Sequence, residues 1–378
     1  MIYDYIIIGC GIGGLYTGYK LNKLNFNVLS LEASIDLGGR ALERKFINYN
    51  VKLGGGIVDI DNIQLLSLLN EFNIKYYKSK QKIIDCYLPY NFNINESIKK
   101  IKDKYFNINK CLNMTVDEFL TLYFDDNFKK LYYKYTEFND YKNQDINDYI
   151  FRYKIDDDIR EEYEFYYFNY NELINKLKTN IIHEKVISVY RLKNNNLIIN
   201  NKYITRNIIN CLTILDAKQL YSYKFLDEIG SVPFCRIYTY HSQNINIENN
   251  IILLDNECKK IIKINDNILM AVYCDSDNAL YWRNKSNNNK IIKTLYKKLP
   301  FIPHIDDYLY IFWNSGVHYF KPNPCNTDNI MMRKKWLLKN MNPEKGIYFA
   351  GEYFSENNGY VEGAISSVNY LFKNFINK

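Results

Sequence analysis

The chain has 378 residues, 47% of them hydrophobic, which is too long for one small core and long enough for two interleaved domains. Its 49 basic and 42 acidic residues leave a net charge of +7, spread along the chain. That spacing argues against a nucleic-acid partner, which needs a concentrated basic patch. Eight cysteines at irregular spacing form no C-x-x-C pair, and there are only four histidines. The cysteines read as buried free thiols in a reducing compartment, with no metal site. No apolar run reaches the roughly 18 residues of a membrane span. The first residues enter a strand directly with no charged leader, so an intracellular, cytoplasmic location without a signal peptide is expected. The abundance of Tyr, Asn, Ile and Lys points to AT-rich codon usage and not to chemistry.

In chain order, residues 3–8 read as a buried parallel strand. A glycine turn at 9–14 follows, then a helix from Leu15 to Leu24 and a second strand from Asn27 to Leu31 that ends at Glu32. This is one βαβ unit of about 30 residues. Residues 61–73 carry a helical apolar face. From 81 to 169 the chain is polar, aromatic and helix-prone, with one amphipathic helix expected over 115–135. Residues 181–210 read as short strands (183–190, 196–199 and 203–210) with a hairpin turn at Asn194–Asn196. Further strands are expected at 236–240, 261–264 and 268–273, and a helix at 287–298. A strand at 347–350, a glycine turn and a helix from Val361 to Phe375 complete the pattern.

Four glycine motifs carry the chemistry. In Gly9-Cys10-Gly11-Ile12-Gly13-Gly14, Gly9 permits a tight turn, Gly11 lets backbone approach a pyrophosphate, and Gly14 lets the helix pack close to the strand. The helix N-terminus then offers free N–H groups and partial positive charge to phosphate. Glu32, at the end of the second strand, suits ribose hydroxyls and disfavours a 2′-phosphate. The second motif, Leu37-Gly38-Gly39-Arg40, suggests another backbone approach to the same nucleotide, with Arg40 as a fixed cation beside its phosphates. The third is Gly54-Gly55-Gly56-Ile57, flanked by apolar residues, where something flat must come close. The fourth is Gly351-Glu352 followed by Gly359-Tyr360-Val361-Glu362-Gly363-Ala364, where a strand ends and a helix begins.

Together these motifs resemble the flavin-containing amine oxidase family, which includes monoamine, polyamine and L-amino-acid oxidases. The matches are Gly9–Gly14, Glu32–Arg40, Gly54–Ile57 and Phe349–Ala364; weaker ones are Val186 and Gly230-Ser231-Val232. The segment 81–170 hardly matches. Protoporphyrinogen oxidases, carotenoid desaturases and renalase-like enzymes share the N-terminal pattern, whereas the block at 351–364 favours the amine oxidase branch. The resemblance implies an α/β fold: a Rossmann-type FAD-binding domain from 1–80, 170–232 and 322–378, and a substrate-binding domain of mixed sheet plus helices from 81–169 and 233–321. It implies FAD held by Gly9, Gly11, Ile12, Gly13, Gly14, Glu32, Ala33, Gly39, Arg40, Gly55, Gly56, Ile57, Val186, Gly351, Glu352, Tyr360 and Val361. Val186 would lie in a strand whose backbone faces the adenine.

The implied reaction is hydride transfer from a small amine, polyamine or amino acid to flavin N5, with oxygen as acceptor and hydrogen peroxide as product. Two aromatic walls would flank the substrate: Tyr360 on one side, His318 or Tyr319 on the other. In the monoamine oxidases FAD is attached to a cysteine near the second wall. Val317 or His318 stands there and Cys325 lies beyond it, so non-covalent FAD is expected. Arg236 occupies the place of the family's flavin-facing lysine. An arginine there faces away on an exposed strand face, or implies an acidic or zwitterionic substrate, or implies weak oxidase turnover. A dehydrogenase or desaturase acting on a non-amine, and a flavoprotein with a binding role, remain alternatives. A homodimer is compatible with the sequence.

Overall fold

A computed structural model describes residues 1–56, 58–85, 93–108, 112–136, 138–151, 162–247, 251–322, 330–356 and 359–377. Ile57 and Cys325, named above, and the cysteines Cys86 and Cys111 lie outside these residues.

The isoleucine run of strand Ile2–Ile8 forms the centre of a seven-stranded sheet among the described residues. Ile6, Ile7 and Ile8 are almost fully buried, as expected for a parallel strand covered on both faces. Val28–Glu32 and Tyr203–Asn210 flank it in parallel register, and Ile181–His183 extends the sheet beyond Val28–Glu32. Tyr203–Asn210 divides its other edge. Its first half pairs antiparallel with Leu197–Ile199, and its second half pairs parallel with Ile347–Phe349. Ile347–Phe349 thus joins the same sheet as the N-terminal strands, one strand removed from Ile2–Ile8. Helices Ile12–Lys23, Tyr170–Leu177 and Tyr360–Leu371 pack together against this sheet.

The second sheet has eight strands among the described residues, in the order Asp307–Phe320, Ile229–Tyr240, Ile268–Asp275, Lys260–Lys263, Ile251–Leu253, Tyr76–Asp85, Glu162–Phe168 and Val58–Asp59. Its one parallel pairing joins Ile251–Leu253 to Tyr76–Asp85, so the sheet is mixed, as expected. The strands at 76–85 and 162–168 escape the sequence reading, and so does helix Ser276–Asn287, which precedes Ile291–Lys298. A third apolar cluster, separate from both sheets, gathers Ile98, Tyr105, Phe119, Tyr132 and Tyr149 from the helices of 94–151.

The helix expected over 115–135 is two helices, Val116–Tyr123 and Asp126–Tyr135. Phe124 and Asp125 leave helical geometry, and the Asp125 carboxylate accepts from Phe128 N–H at 2.8 Å. An aspartate that caps a new helix competes with continuation of the old one. Val186 lies in no strand; it sits in the extended link between Ile181–His183 and Val189–Arg191, its side chain in the core. No helix among the described residues is long and apolar enough to cross a membrane. Cys10, Cys211, Cys235, Cys258 and Cys274 are free thiols, and no group of three metal-ligating side chains occurs among the described residues.

Candidate functional site

A cavity of about 1840 Å³ runs from the carboxyl ends of the first sheet's strands to the face of the second sheet. Small-ligand pockets measure about 300–1,000 Å³, so this one has room for a dinucleotide and a substrate together. Its first half lies where doubly wound sheets bind nucleotides, outside the strand ends at which the order reverses.

The glycine turns are fastened to one another by backbone bonds. Gly38 N–H donates to Cys10 C=O at 2.8 Å, and Gly55 N–H donates to Arg40 C=O at 2.7 Å. A Cβ on Gly14 would lie 1.9 Å from the Gly9 carbonyl oxygen, so this glycine is required by packing. A Cβ on Gly54 would meet the Arg40 carbonyl at 2.1 Å. The apparent need for a flat neighbour at 54–56 is therefore met in part by the chain itself. Gly11 and Gly359 differ: a Cβ on either would meet nothing within 4 Å, and both line the cavity. They are also the N-caps of Ile12–Lys23 and Tyr360–Leu371, and neither helix has a side-chain cap. Two uncapped helix N-termini therefore open on one space, each offering N–H groups and positive partial charge to an anion.

The Glu32 carboxylate borders the same space. One oxygen accepts from Cys10 N–H at 2.6 Å and the other from Ser34 N–H at 2.9 Å. Each oxygen keeps a second lone pair for a sugar hydroxyl. The residues present thus fit a dinucleotide with free ribose hydroxyls.

Arg40 has a different partner from the one expected. Its guanidinium meets Glu352 through both nitrogens, at 3.3 and 3.1 Å, and donates to Gly316 C=O at 2.8 Å. Its charge is thus balanced inside the protein and ties the second glycine turn to strand Asp307–Phe320. Glu352 also accepts from His318 Nδ1. His318 Nε2 accepts from Ile214 N–H at 3.2 Å and lies 2.9 Å from Ser315 Oγ. This places the single imidazole proton on Nδ1. Burial pushes the His318 pKa below its ordinary value despite Glu352, while Arg40 and His318 pull that of Glu352 well below the usual carboxylate range. His318 is therefore a neutral, buried link in a network and not the aromatic wall expected of it.

Tyr319, its neighbour in the strand, borders the cavity with its ring over Gly230, where a Cβ would fall 2.3 Å from the ring. Tyr360 also borders the cavity, 53% exposed, with φ at +57°. A bulky residue in the left-handed region is held there by its surroundings. Ile12, Gly13, Gly39, Gly55, Gly56, Gly351 and Val361 border the cavity as well. Ala33 is exposed and, like Val186 and Gly14, does not border it.

Arg236 is not on an exposed face. It is 3% exposed, lines the cavity and lies 3.4 Å from where a Gly56 Cβ would sit. Trp313, whose indole N–H donates to Leu53 C=O at 2.8 Å, and Phe138, Tyr273 and Lys260 line the second half too. Sequence reading missed these four. A Trp or Lys in an aromatic-rich chain carries no local mark of the cavity it will face.

A family model for an NAD(P)-binding Rossmann-like domain matches residues 7–72. Over 77 residues the chain is 36% identical to an L-amino acid dehydrogenase of Synechocystis sp., and over 79 residues 37% identical to the flavin-containing amine oxidase A of Equus caballus. Each match covers 20% of this chain and spans 16% and 15% of those relatives. Among solved structures, a putrescine oxidase bound to putrescine superposes with a TM-score of 0.73 at 13% identity over the full length of both chains. Cyclohexylamine oxidase from Brevibacterium oxydans IH-35A gives 0.74 at 14% identity, covering 97% of each chain. The fold is shared with these two amine oxidases. The resemblance seen in the glycine motifs therefore holds, locally in sequence and throughout the chain in shape. A putative protoporphyrinogen oxidase from Exiguobacterium sp. 255-15 also superposes, with a TM-score of 0.69 at 13% identity.

Proposed function

We propose that the protein is an FAD-dependent oxidoreductase of the amine oxidase type. The supporting observation is the pair of uncapped helix N-termini, with Gly11 and Gly359 open, facing one cavity that continues onto the second sheet. Gly11, Ile12 and Gly13 would hold the pyrophosphate, and Glu32 the ribose. Gly55, Gly56 and Val361 would lie along the flavin ring. The start of Tyr360–Leu371 would face the ring edge that gains negative charge on reduction. FAD, when bound, would supply the redox chemistry: hydride acceptance from the carbon beside the nitrogen of a small amine, polyamine or amino acid, with oxygen as the final acceptor and hydrogen peroxide as product.

The protein's part is to bind, orient and exclude water. Tyr360 and Tyr319 border the substrate half of the cavity. The His318–Glu352–Arg40 network fixes strand Asp307–Phe320 against the nucleotide half. Val317 and His318 offer no thiol for a covalent tether, so the cofactor is held non-covalently. The domains follow the two sheets, with the nucleotide on the first and the substrate on the second.

The protein purified after expression is expected to be yellow and to release FAD on denaturation. Mixed anaerobically with a panel of amines and amino acids, it should bleach with at least one, and peroxide should form on admitting air. A colourless protein that takes up no FAD would refute the cofactor assignment. Bleaching without peroxide would favour a dehydrogenase, and bleaching only by non-amine donors would refute the substrate class.

A further inference from the structure

Arg236 lies in strand Ile229–Tyr240, between Ile268–Asp275 and Asp307–Phe320, and is almost fully buried. Its Nη1 donates to Lys52 C=O at 3.0 Å. The guanidinium lies 4.5 Å from the Tyr273 ring centroid and 5.3 Å from that of Phe234. Its Nε is buried without a hydrogen-bond partner, and no carboxylate among the described residues forms an ion pair with it. Glu43, the carboxylate joined to neighbouring Lys52, is engaged by the Lys52 ammonium. An arginine cannot escape burial by losing its proton. A buried charge without a counter-ion is unfavourable. This one faces a cavity, where a ligand can supply the missing anion.

The surroundings point the same way. Lys260 sits 4.0 Å from the same Tyr273 ring and 4.2 Å from that of Phe138, so two basic side chains contact one aromatic side chain of the cavity. Asp275 faces Lys260 and also accepts from Asn139 N–H at 3.1 Å. Lys52 and Glu43 balance each other. Of these three cavity cations, Arg236 has neutral neighbours, the Tyr238 and Tyr273 side chains and the Lys52 carbonyl, and no carboxylate among the described residues. A polyamine, positive along its length, would add to the imbalance. A carboxylate would remove it and match the planar fork of the guanidinium.

We propose that Arg236 is the specificity-determining residue of the site, and that the substrate carries a carboxylate which Arg236 binds in the half of the cavity lined by the second sheet. This rests on the reading that the first half holds FAD. It narrows the substrate to amines that bear an acidic group, such as amino acids.

The test uses the FAD-loaded protein and two probes of like shape, benzoate and benzylamine, each titrated anaerobically against the visible flavin spectrum. Benzoate is expected to perturb the spectrum saturably. Arg236→Met should weaken its binding at least tenfold, and Arg236→Lys, which keeps charge but loses the fork, should weaken it less than Arg236→Met does. Benzylamine binding should be unchanged or tighter in both variants. Benzoate binding unaltered by Arg236→Lys would overturn the proposal even if Arg236→Met failed to fold. So would wild-type protein that bound neither benzoate nor propionate. A shifted flavin midpoint potential with unchanged benzoate binding would make the flavin, not the substrate, the anion facing Arg236, and would also overturn it. A protein that takes up no flavin at all would instead remove the underlying cofactor reading.

Discussion

At the scale of single residues, glycines that look alike in the sequence do different work. Gly14 is required because its backbone touches Gly9, whereas Gly11 is open to the cavity. Gly14→Ala should destabilise the protein by about 1–3 kcal/mol through overpacking, seen as a lower midpoint in urea. Gly11→Ala should leave that midpoint nearly unchanged and weaken FAD binding at least tenfold in a fluorescence titration. Equal loss of stability in both variants would contradict the assignment. Glu352 supports a second contrast. Its folded pKa is depressed, so it contributes stability above its ordinary value of 4.5 that is lost as pH falls. His318 is also depressed, so below its ordinary 6.5 the unfolded chain takes up a proton that the folded one refuses. Both effects weaken the fold on acidification. Glu352→Gln should cost about 3–5 kcal/mol near neutral pH, the range for breaking a buried pair. It should also flatten the part of a plot of melting temperature against pH that lies below about pH 4.5, the ordinary value of the carboxyl; an unchanged slope there would refute the network.

At the scale of elements, Glu362 shows how one helix is built into another. Its carboxylate accepts from Gln64 N–H at 3.0 Å and Leu65 N–H at 2.8 Å, capping helix Ile63–Glu71 from a distance of nearly 300 residues in sequence. Asn62, the local N-cap, makes no side-chain cap. Glu362→Ala should therefore cost about 1–2 kcal/mol, like the loss of a strong cap; a chemical-denaturation difference under about 0.5 kcal/mol would refute it. The elements of the first sheet were legible because runs such as Ile6-Ile7-Ile8 and the glycine turns are local signals. The second sheet was legible only in part, at 236–240, 261–264 and 268–273. Tyr76–Asp85 pairs with Glu162–Phe168 across a long stretch of chain, and that pairing leaves no mark in either segment alone. The facing of Arg236 was equally hidden, because Ile229–Tyr240 is buried on both faces and its alternation gives no direction. Arg40 was legible as a site residue but not in its role, since its partner Glu352 lies 312 positions away.

At the scale of the whole molecule, the cavity lies between two sheets that also share core, since Val58, Phe168, Ile229 and Phe320 of the second sheet pack with the first sheet's core. A ligand bound only by the folded chain stabilises it by mass action, by about 2.7 kcal/mol when present at 100 times its Kd. Adding FAD to stripped protein should therefore raise the melting temperature in a concentration-dependent way, and a melting temperature indifferent to FAD would refute a folded-state cofactor site. The site's framework was legible from its glycines. Its substrate half was not, because the nature of that half depends on which charges the fold leaves unbalanced.

The return of Ile347–Phe349 to the first sheet and of Tyr360–Leu371 onto helix Ile12–Lys23 has a consequence for biosynthesis. The first glycine turn is made well before the helix that faces it across the cavity. While the chain is being synthesised, half of the nucleotide cradle exists without the other half. Cofactor loading is therefore a late event, set by the release of the distal residues and not by the emergence of the βαβ unit. A chain stopped before residue 347 should keep the glycine signature and still fail to retain FAD.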